Sequence, residues 1–329
     1  MMEKFSAFRI FGEENALYSA YSLIGMDDLS EGDVVVETTY SNMQYKDALA
    51  ATGKGKVVRK FPINGGTDAA GVVRSSSDPR FKEGDRVAVL TNGMGETHDG
   101  GYSQFVRVPA DWVSPIPDGM DDWTAMAIGS TGLTAALALH RLEQSGLTPD
   151  SGKIVVTGAT GGVGSIAIGL MSKLGYEITA VSGKSNADPY LKDLGAKEIV
   201  SRSIFAENDG MLGKGIWAGG VDNIGGQALD WMLRTSKRNA AIASVGNASG
   251  AALETNVYPF ILRAVSLLGV NAAHLEPDLR QQLWERLASD LRPWFIEDIS
   301  TTIEFSDLPN AFERIINGKV LGRIVVKMC

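Results

Sequence analysis

Cysteine is almost missing from this chain: the single residue, Cys329, is the last of 329. No intramolecular disulfide can form, and no cysteine cluster with zinc-ligand spacing exists. Histidine is nearly as scarce. His98, His140 and His274 have neither paired ligand spacing nor a triad context, and no serine sits in a nucleophile-elbow motif. Ser-His-Asp hydrolysis therefore lacks its parts. A basic excess is absent as well. The 39 acidic and 31 basic residues leave a net charge of -8, which argues against a general nucleic-acid or anionic-membrane binder. No apolar run approaches the roughly 20 residues of a membrane helix, and Met1-Met2-Glu3-Lys4-Phe5 lacks the apolar stretch of a signal peptide. No repeat of roughly 20 to 50 residues points to a solenoid or propeller. These absences predict a cytoplasmic protein in reducing surroundings.

What is present is an ordinary globular composition, 44% hydrophobic and 21% charged, at a length that suggests two domains. From Phe5 to Val108 short β-rich runs alternate with glycine: Phe5 to Phe11, Asp33 to Tyr40, Ala70 to Val73, Arg86 to Val89 and Tyr102 to Val108. Their spacing predicts a partly closed antiparallel barrel. Asp122 is the expected cap of a helix from about Trp123 to Arg141, into which Gly129, Ser130, Thr131 and Gly132 insert small residues.

The middle of the chain alternates strand and helix. Ile154-Val155-Val156 reads as a buried strand, followed by Gly158-Ala159-Thr160-Gly161-Gly162-Val163-Gly164. Small residues at 159, 161 and 164 let the backbone turn tightly, approach a pyrophosphate and pack a helix against a sheet, with the phosphates over free amides at the helix N-terminus. Strands at 177–181, 198–200, 221–224, 240–245 and 266–270, with helices between them, the first from Ile166 to Leu174, give the fingerprint the parallel sheet it requires; near the end of the chain Leu308 to Ile316 reads as a helix and Arg323 to Lys327 as the final strand. The second strand of the sheet ends in Ser182-Gly183-Lys184 rather than in a carboxylate. A ribose 2'-phosphate is then not repelled, Ser182 can donate to it and Lys184 can supply charge, which favours NADPH over NADH. Asp222 reads as an organiser of its turn, and Ile261 as a core residue first. The apolar segment Ala264 to Val270 fits either a buried strand or a sheet edge that pairs between subunits.

Gly84-Asp85-Arg86-Val87, Gly100-Gly101-Tyr102 and the ending Asn317-Gly318-Lys319-Val320-Leu321-Gly322-Arg323 together resemble the medium-chain dehydrogenase/reductase superfamily. The resemblance implies an α/β protein. A GroES-like, partly open β-barrel catalytic domain would take residues 1–121 and 271–329, and a Rossmann, doubly wound parallel-sheet domain residues 122–270. Where the superfamily's zinc enzymes carry Gly-His-Glu, this chain has Gly66-Thr67-Asp68, and no cysteine precedes it. That points to the zinc-free, quinone-oxidoreductase-like branch with no metal.

Taken alone, Tyr45 reads as a half-buried packing tyrosine and Asp47 as a cap or ion-pair partner. Gln44-Tyr45-Lys46-Asp47 resembles the Asn-Tyr-Lys-Asp segment of the acrylyl-CoA reductases within that branch, with Gln44 in place of asparagine. By that resemblance Tyr45, Asp47 and Arg323 are the expected catalytic residues, Asp47 orienting Tyr45 or Lys46 and Arg323 bordering the cleft. It likewise implies cofactor contacts from Tyr45, Thr131, Ala159, Thr160, Gly161, Gly162, Val163, Ser182, Gly183, Lys184, Arg202, Asn247, Ile261 and Asn317. The expected activity is NADPH-dependent reduction of the activated C=C bond of an acyl-CoA thioester, acrylyl-CoA first, by a homodimer. Reduction of quinones or other unsaturated carbonyls is the alternative, and a non-catalytic NADPH sensor the third reading. Lys54, Lys56, Arg59 and Lys60 form a basic cluster that fits either a solvated loop or a CoA-phosphate contact.

Overall fold

The computed structural model describes residues 4–13, 16–184, 186–206 and 210–328. Met1–Glu3 and Cys329, on which the expectations about the chain start and the single thiol rest, lie outside them. The chain divides into two compact units, Met1–Ser130 with Ala273–Ala288 and Ile296–Cys329, and Thr131–Ala272 with Ser289–Phe295.

Among the described residues, the first unit holds a three-stranded and a seven-stranded sheet. The spine of the larger one is Val34–Met43, which buries Val34, Val36 and Thr38 on alternate positions, the period of a strand with one core face. Arg323–Lys327, Asp68–Ser76 and Phe105–Val108 pair with it antiparallel. Arg86–Leu90 and Val113–Pro115 continue the sheet on one side and Ser300–Glu304 ends it on the other. Two register shifts between Val34–Met43 and Asp68–Ser76 add local twist and help the sheet curl.

The smaller sheet contains a strand that the sequence pattern does not announce. Ala16–Ile24 runs antiparallel to Phe5–Glu13 along its whole length, from Phe5 opposite Ile24 to Glu13 opposite Ala16. Its small and aromatic residues show no clean alternation of polarity; pairing supplies what periodicity does not. Helix Leu308–Ile316 spans the expected residues. It buries Leu308, Ala311 and Phe312, three and four positions apart on one face, against Phe8, Met43, Tyr102 and Ile324.

The helix after this unit's last small strand runs Asp122–Gln144. Its cap is Asp121 rather than Asp122: Asp121 Oδ1 accepts the Thr124 N–H at 2.7 Å. Asp122 instead accepts Thr39 Oγ1 at 2.7 Å and Arg86 Nε at 2.9 Å. Either aspartate suits a helix start, and the strand-borne Thr39 and Arg86 claim the second one.

Among the described residues, the second unit holds one parallel sheet of six strands. Across the sheet they run Glu198–Ser201, Ile178–Ser182, Ile154–Val156, Trp217–Asp222, Ser236–Ser244 and Ser266–Gly269. Counted along the chain this is the order 3-2-1-4-5-6 of the doubly wound fold, which places the ligand crevice beyond the carboxyl ends beside the first strand. Ile154, Val155 and Val156 are fully buried. Helix Gly162–Lys173 begins inside the glycine turn, four residues ahead of Ile166. It can start there because a Cβ on Gly164 would lie 2.4 Å from the Gly158 carbonyl oxygen, a distance open only to glycine. Trp217, Trp231 and Phe205 form a tilted aromatic run with centroids 5.6 and 5.3 Å apart, pairs that add about 1 kcal/mol beyond burial.

Ser266–Gly269 is the last strand of its sheet, with Leu267 exposed, so the buried-strand reading of 264–270 gives way to an edge strand. Among the described residues no helix is long and apolar enough to cross a membrane.

Candidate active site

Helix Tyr45–Thr52 carries the first candidate residues. Asp47 folds back over its N-terminus, where Oδ2 accepts the Gln44 N–H at 2.8 Å and the Thr67 hydroxyl at 3.3 Å. This leaves Asp47 buried. Tyr45, two residues earlier, is 48% exposed, and Lys46 pairs with Glu96 at 2.7 Å. The expectation that Asp47 orients Tyr45 or Lys46 is therefore replaced: successive helical positions point different ways, and the carboxyl group is held by the helix end and by Thr67.

The fully buried Asp68 draws the rest together. Its Oδ2 accepts Asn42 Nδ2 at 2.7 Å, the Ser130 hydroxyl and Ser130 N–H at 2.8 Å each, and Gln44 Nε2 at 3.3 Å; Oδ1 accepts the Thr91 N–H at 3.1 Å. Gln44 Nε2 also lies 2.6 Å from Ser130 Oγ and 2.9 Å from Thr67 Oγ1. Gln44, Thr67 and Ser130 thus link the two aspartates through hydrogen bonds. Arg323, buried rather than lining an open surface, donates from Nε to the Ala127 carbonyl at 2.8 Å and from Nη2 to that of Met126 at 3.3 Å. Both carbonyls precede Gly129, where the helix bends at φ 53°. A Cβ at Gly129 would fall 2.3 Å from Asn42 Nδ2 and 2.8 Å from Asp68 Oδ2. Glycine at the bend is what lets the polar groups converge.

Burial governs the electrostatics here. Desolvation pushes the Asp47 carboxyl up to about 7, with Asp68 adding to the rise and Lys46 and the Gln44 N–H opposing it. Burial brings the Arg323 guanidinium down to about 10 against the pull of Asp68 and Asp47, and drives the Tyr102 phenol well above its ordinary value.

The second unit gathers most of the predicted cofactor residues at neighbouring strand ends. Ala159 and Thr160 are buried in the turn, and Gly161, Gly162 and Val163 open helix Gly162–Lys173, whose first amides have no intrahelical partner. Ser182 ends the adjacent strand opposite Ser201, with its hydroxyl accepting the Lys184 N–H at 3.1 Å. Arg202 lies over Gly183, where a Cβ would be 2.6 Å from its Cδ. Burial lowers the Lys184 ammonium. Asp222 organises its turn as expected, accepting Thr157 Oγ1 at 2.6 Å and the Gly225 N–H at 2.9 Å. Asn247 follows the fifth strand, and its carbonyl accepts the Gly250 N–H at 2.9 Å. Thr131 is buried in its helix. Ile261 is 67% exposed on helix Tyr258–Arg263, so it is not a core residue. Asn317, in the first unit, ends helix Leu308–Ile316 as its C-cap.

Two family models match the chain: the alcohol dehydrogenase GroES-like domain over residues 30–118 and the zinc-binding dehydrogenase domain over 162–289. The chain is 46% identical to the "Probable acrylyl-CoA reductase AcuI" of Escherichia coli strain K12 over 91% of its own length and 92% of the relative's. The chain belongs to the medium-chain dehydrogenase/reductase superfamily. It is 41% identical over 93% of both chains to the "Putative quinone oxidoreductase YhfP" of Bacillus subtilis strain 168. The structure of Bacillus subtilis yhfP, solved with NAD bound, superposes with a TM-score of 0.94 at 40% identity, covering 99% of each chain. The yhdH oxidoreductase of Salmonella enterica, solved with NADP, gives a TM-score of 0.96 at 42% identity, covering 98% of this chain and 100% of that one. This superfamily member is an oxidoreductase with the α/β, GroES-like plus Rossmann architecture.

The zinc of the family's name does not fit the residues that stand in its ligands' place. Thr67 and Asp68 replace the His-Glu pair, and the hydrogen-bonding amide of Gln44 sits among Thr67, Asp68 and Ser130 with N–H donors, where a cation needs lone pairs. Among the described residues no three His, Cys, Asp or Glu side chains form a metal-binding group.

Sequence reasoning did not single out Asn42, Thr91 and Ser130, which complete the Asp68 network. Each is one polar residue on a separate stretch, and no local spacing links them.

The raised Asp47 carboxyl carries a pH signature. In the folded chain it holds a proton between its ordinary value of 3.8 and about 7, whereas the unfolded chain has lost it. Its effect on stability is neutral below the lower value and grows steadily unfavourable as pH rises from there to the upper one, then levels off. Asp47→Asn is expected to gain stability relative to the parent between pH 4 and pH 8, by a few kcal/mol. Urea unfolding at both pH values measures the gain, and a constant difference would contradict the protonated folded state.

Proposed function

We propose that this oxidoreductase uses NADPH to reduce the C=C bond of an α,β-unsaturated acyl-CoA, with acrylyl-CoA to propionyl-CoA the leading reaction. The observation that carries the reading is the 46% identity to the E. coli probable acrylyl-CoA reductase across nearly the whole chain. The cofactor reading rests on the end of strand Ile178–Ser182, which carries no carboxylate and has Lys184 beside it and Arg202 over Gly183.

In this reading the amides of Gly162 and Val163 at the helix N-terminus hold the pyrophosphate, Gly161 keeps the turn tight with its own N–H on the Gly158 carbonyl, and Ser182, Lys184 and Arg202 hold the 2'-phosphate through charge-assisted hydrogen bonds. The reduced nicotinamide, when bound, supplies the hydride. At the substrate the β-carbon accepts that hydride, the charge moves onto the thioester oxygen as an enolate, and the α-carbon takes a proton. The exposed phenol of Tyr45 donates that proton and recovers one from water. Asp47 and Arg323 act as positioning groups: Asp47 closes the helix end that presents Tyr45, and Arg323 braces the carbonyls ahead of the Gly129 bend.

The decisive experiment follows NADPH oxidation with acrylyl-CoA, crotonyl-CoA and a simple quinone. The highest kcat/KM is expected for a CoA thioester. A quinone preference would favour the second reading, which the 41% identity to YhfP supports. Tight NADPH binding with no turnover on any acceptor would favour a sensor.

Tyr45→Phe is expected to lower kcat by roughly 100-fold, the scale of a general acid, and to change the NADPH Kd far less. Stopped-flow turnover beside a fluorescence titration separates the two, and parental turnover would remove Tyr45 from the mechanism.

Lys184→Glu is expected to raise the KM for NADPH relative to NADH by about tenfold, because a repulsive charge replaces a phosphate contact. A ratio that does not move would mean that Lys184 does not touch the 2'-phosphate.

A further inference from the structure

We infer that the loop Lys54–Phe61 is a docking site for the phosphate-rich nucleotide end of coenzyme A. The inference rests on the acyl-CoA reading above and locates where the far end of that substrate binds.

Lys54, Lys56, Arg59 and Lys60 are all exposed. None of the four side chains has a hydrogen-bond or ion-pair partner among the described residues. Several other cations of the first unit are neutralised, Arg74 by Glu37, Arg80 by Asp78 and Asp111, Arg86 by Asp122 and the half-buried Lys46 by Glu96; exposed ones without an ion pair among the described residues, such as Lys4, Lys82, Arg314, Lys319 and Lys327, are scattered along the sequence rather than gathered in one loop. In a chain of net charge -8, four unpaired cations within one short loop form a local field that a polyanion relieves.

The loop is also built to hold those cations outward. It leaves helix Tyr45–Thr52 through Gly53 at φ 68°. Val57 and Val58 turn inward against the cluster of Ile10, Ala50 and Ile63. The Arg59 N–H donates to the Glu96 carbonyl at 2.8 Å, so the backbone is tied down while the side chain stays free. Phe61 ends the loop 40% exposed, with its ring seated over Gly12. An exposed aromatic face beside unpaired cations suits a purine next to phosphates.

Reach agrees with chemistry. The eight-residue helix between Tyr45 and the loop is about 12 Å long, a span that an extended pantetheine arm covers. A thioester at Tyr45 then leaves the diphosphate and 3'-phosphate at Lys54 to Lys60, with the adenine at Phe61.

The test is calorimetric titration of the full chain with CoA, dephospho-CoA and NADPH. It compares the parent with the Lys54→Glu/Lys56→Glu double variant and with Phe61→Ala, each checked for an unchanged Tm. CoA is expected to bind the parent, with its Kd raised about tenfold or more by the double variant. Dephospho-CoA is expected to bind more weakly and to be less affected, Phe61→Ala to weaken both, and NADPH to stay unchanged. No CoA binding by the parent, equal CoA affinity in parent and double variant, or an equal loss for NADPH would each overturn the inference, the last by assigning the loop to the dinucleotide. Loop-dependent CoA binding without reduction of any enoyl-CoA would uphold the site and sink the proposed reaction. Parental and variant chains that reduce acrylyl-CoA with the same KM would do the reverse.

Discussion

A buried carboxyl group needs partners, and Asp68 has recruited them from three separate stretches of chain. Asn42 and Gln44 reach it from the end of the sheet's central strand, Thr91 from the loop after Arg86–Leu90, and Ser130 from the bend of the long helix. Removing such a group from water without these bonds would cost several kcal/mol. The requirement fixes where the strand ends, how far the helix approaches, and why a glycine stands at its bend. Arg323 answers the same constraint from the last strand and spends its donors on the carbonyls that lead into the bend. The first unit is organised around this polar knot as much as around its apolar core.

The knot also bears on the chemistry. In the place where superfamily relatives hold zinc, this chain has a hydrogen-bonded set whose centre is an amide donor. In that set the oxygen lone pairs of Asp68, Thr67 and Ser130 are already engaged by N–H and O–H donors, and a substrate that carries its own activation, a double bond conjugated to a thioester, suits it. Tyr45 stands at the margin of the network rather than inside it. Its phenol is free to face a ligand while Asp47 beneath it secures the helix end.

In the second unit the governing fact is a strand end that lacks negative charge. Without a carboxylate, and flanked by lysine and arginine, it favours an extra phosphate through the same electrostatics that the loop Lys54–Phe61 offers on the first unit. The two basic features belong to different units and, as proposed, to different ligands.

The sequence by itself determined the doubly wound unit, because its signals are local. A buried β-branched run, a turn of small residues and a helix occupy neighbouring positions, and Ser182-Gly183-Lys184 lies at the end of the next strand. It also carried the helix Leu308–Ile316 and the terminal strand to the residue. Only the tertiary structure decided the pairing of Ala16–Ile24, the cap at Asp121, the inward turn of Asp47, the exposure of Ile261 and the burial of Arg323. Each of these depends on which distant segment arrives as a neighbour. Asn42, Asp68, Thr91, Ser130 and Arg323 are isolated polar residues until the sheet and the bent helix bring their polar atoms to within about 3 Å of a partner, and hydrogen bonding over such sequence separations leaves no period to read.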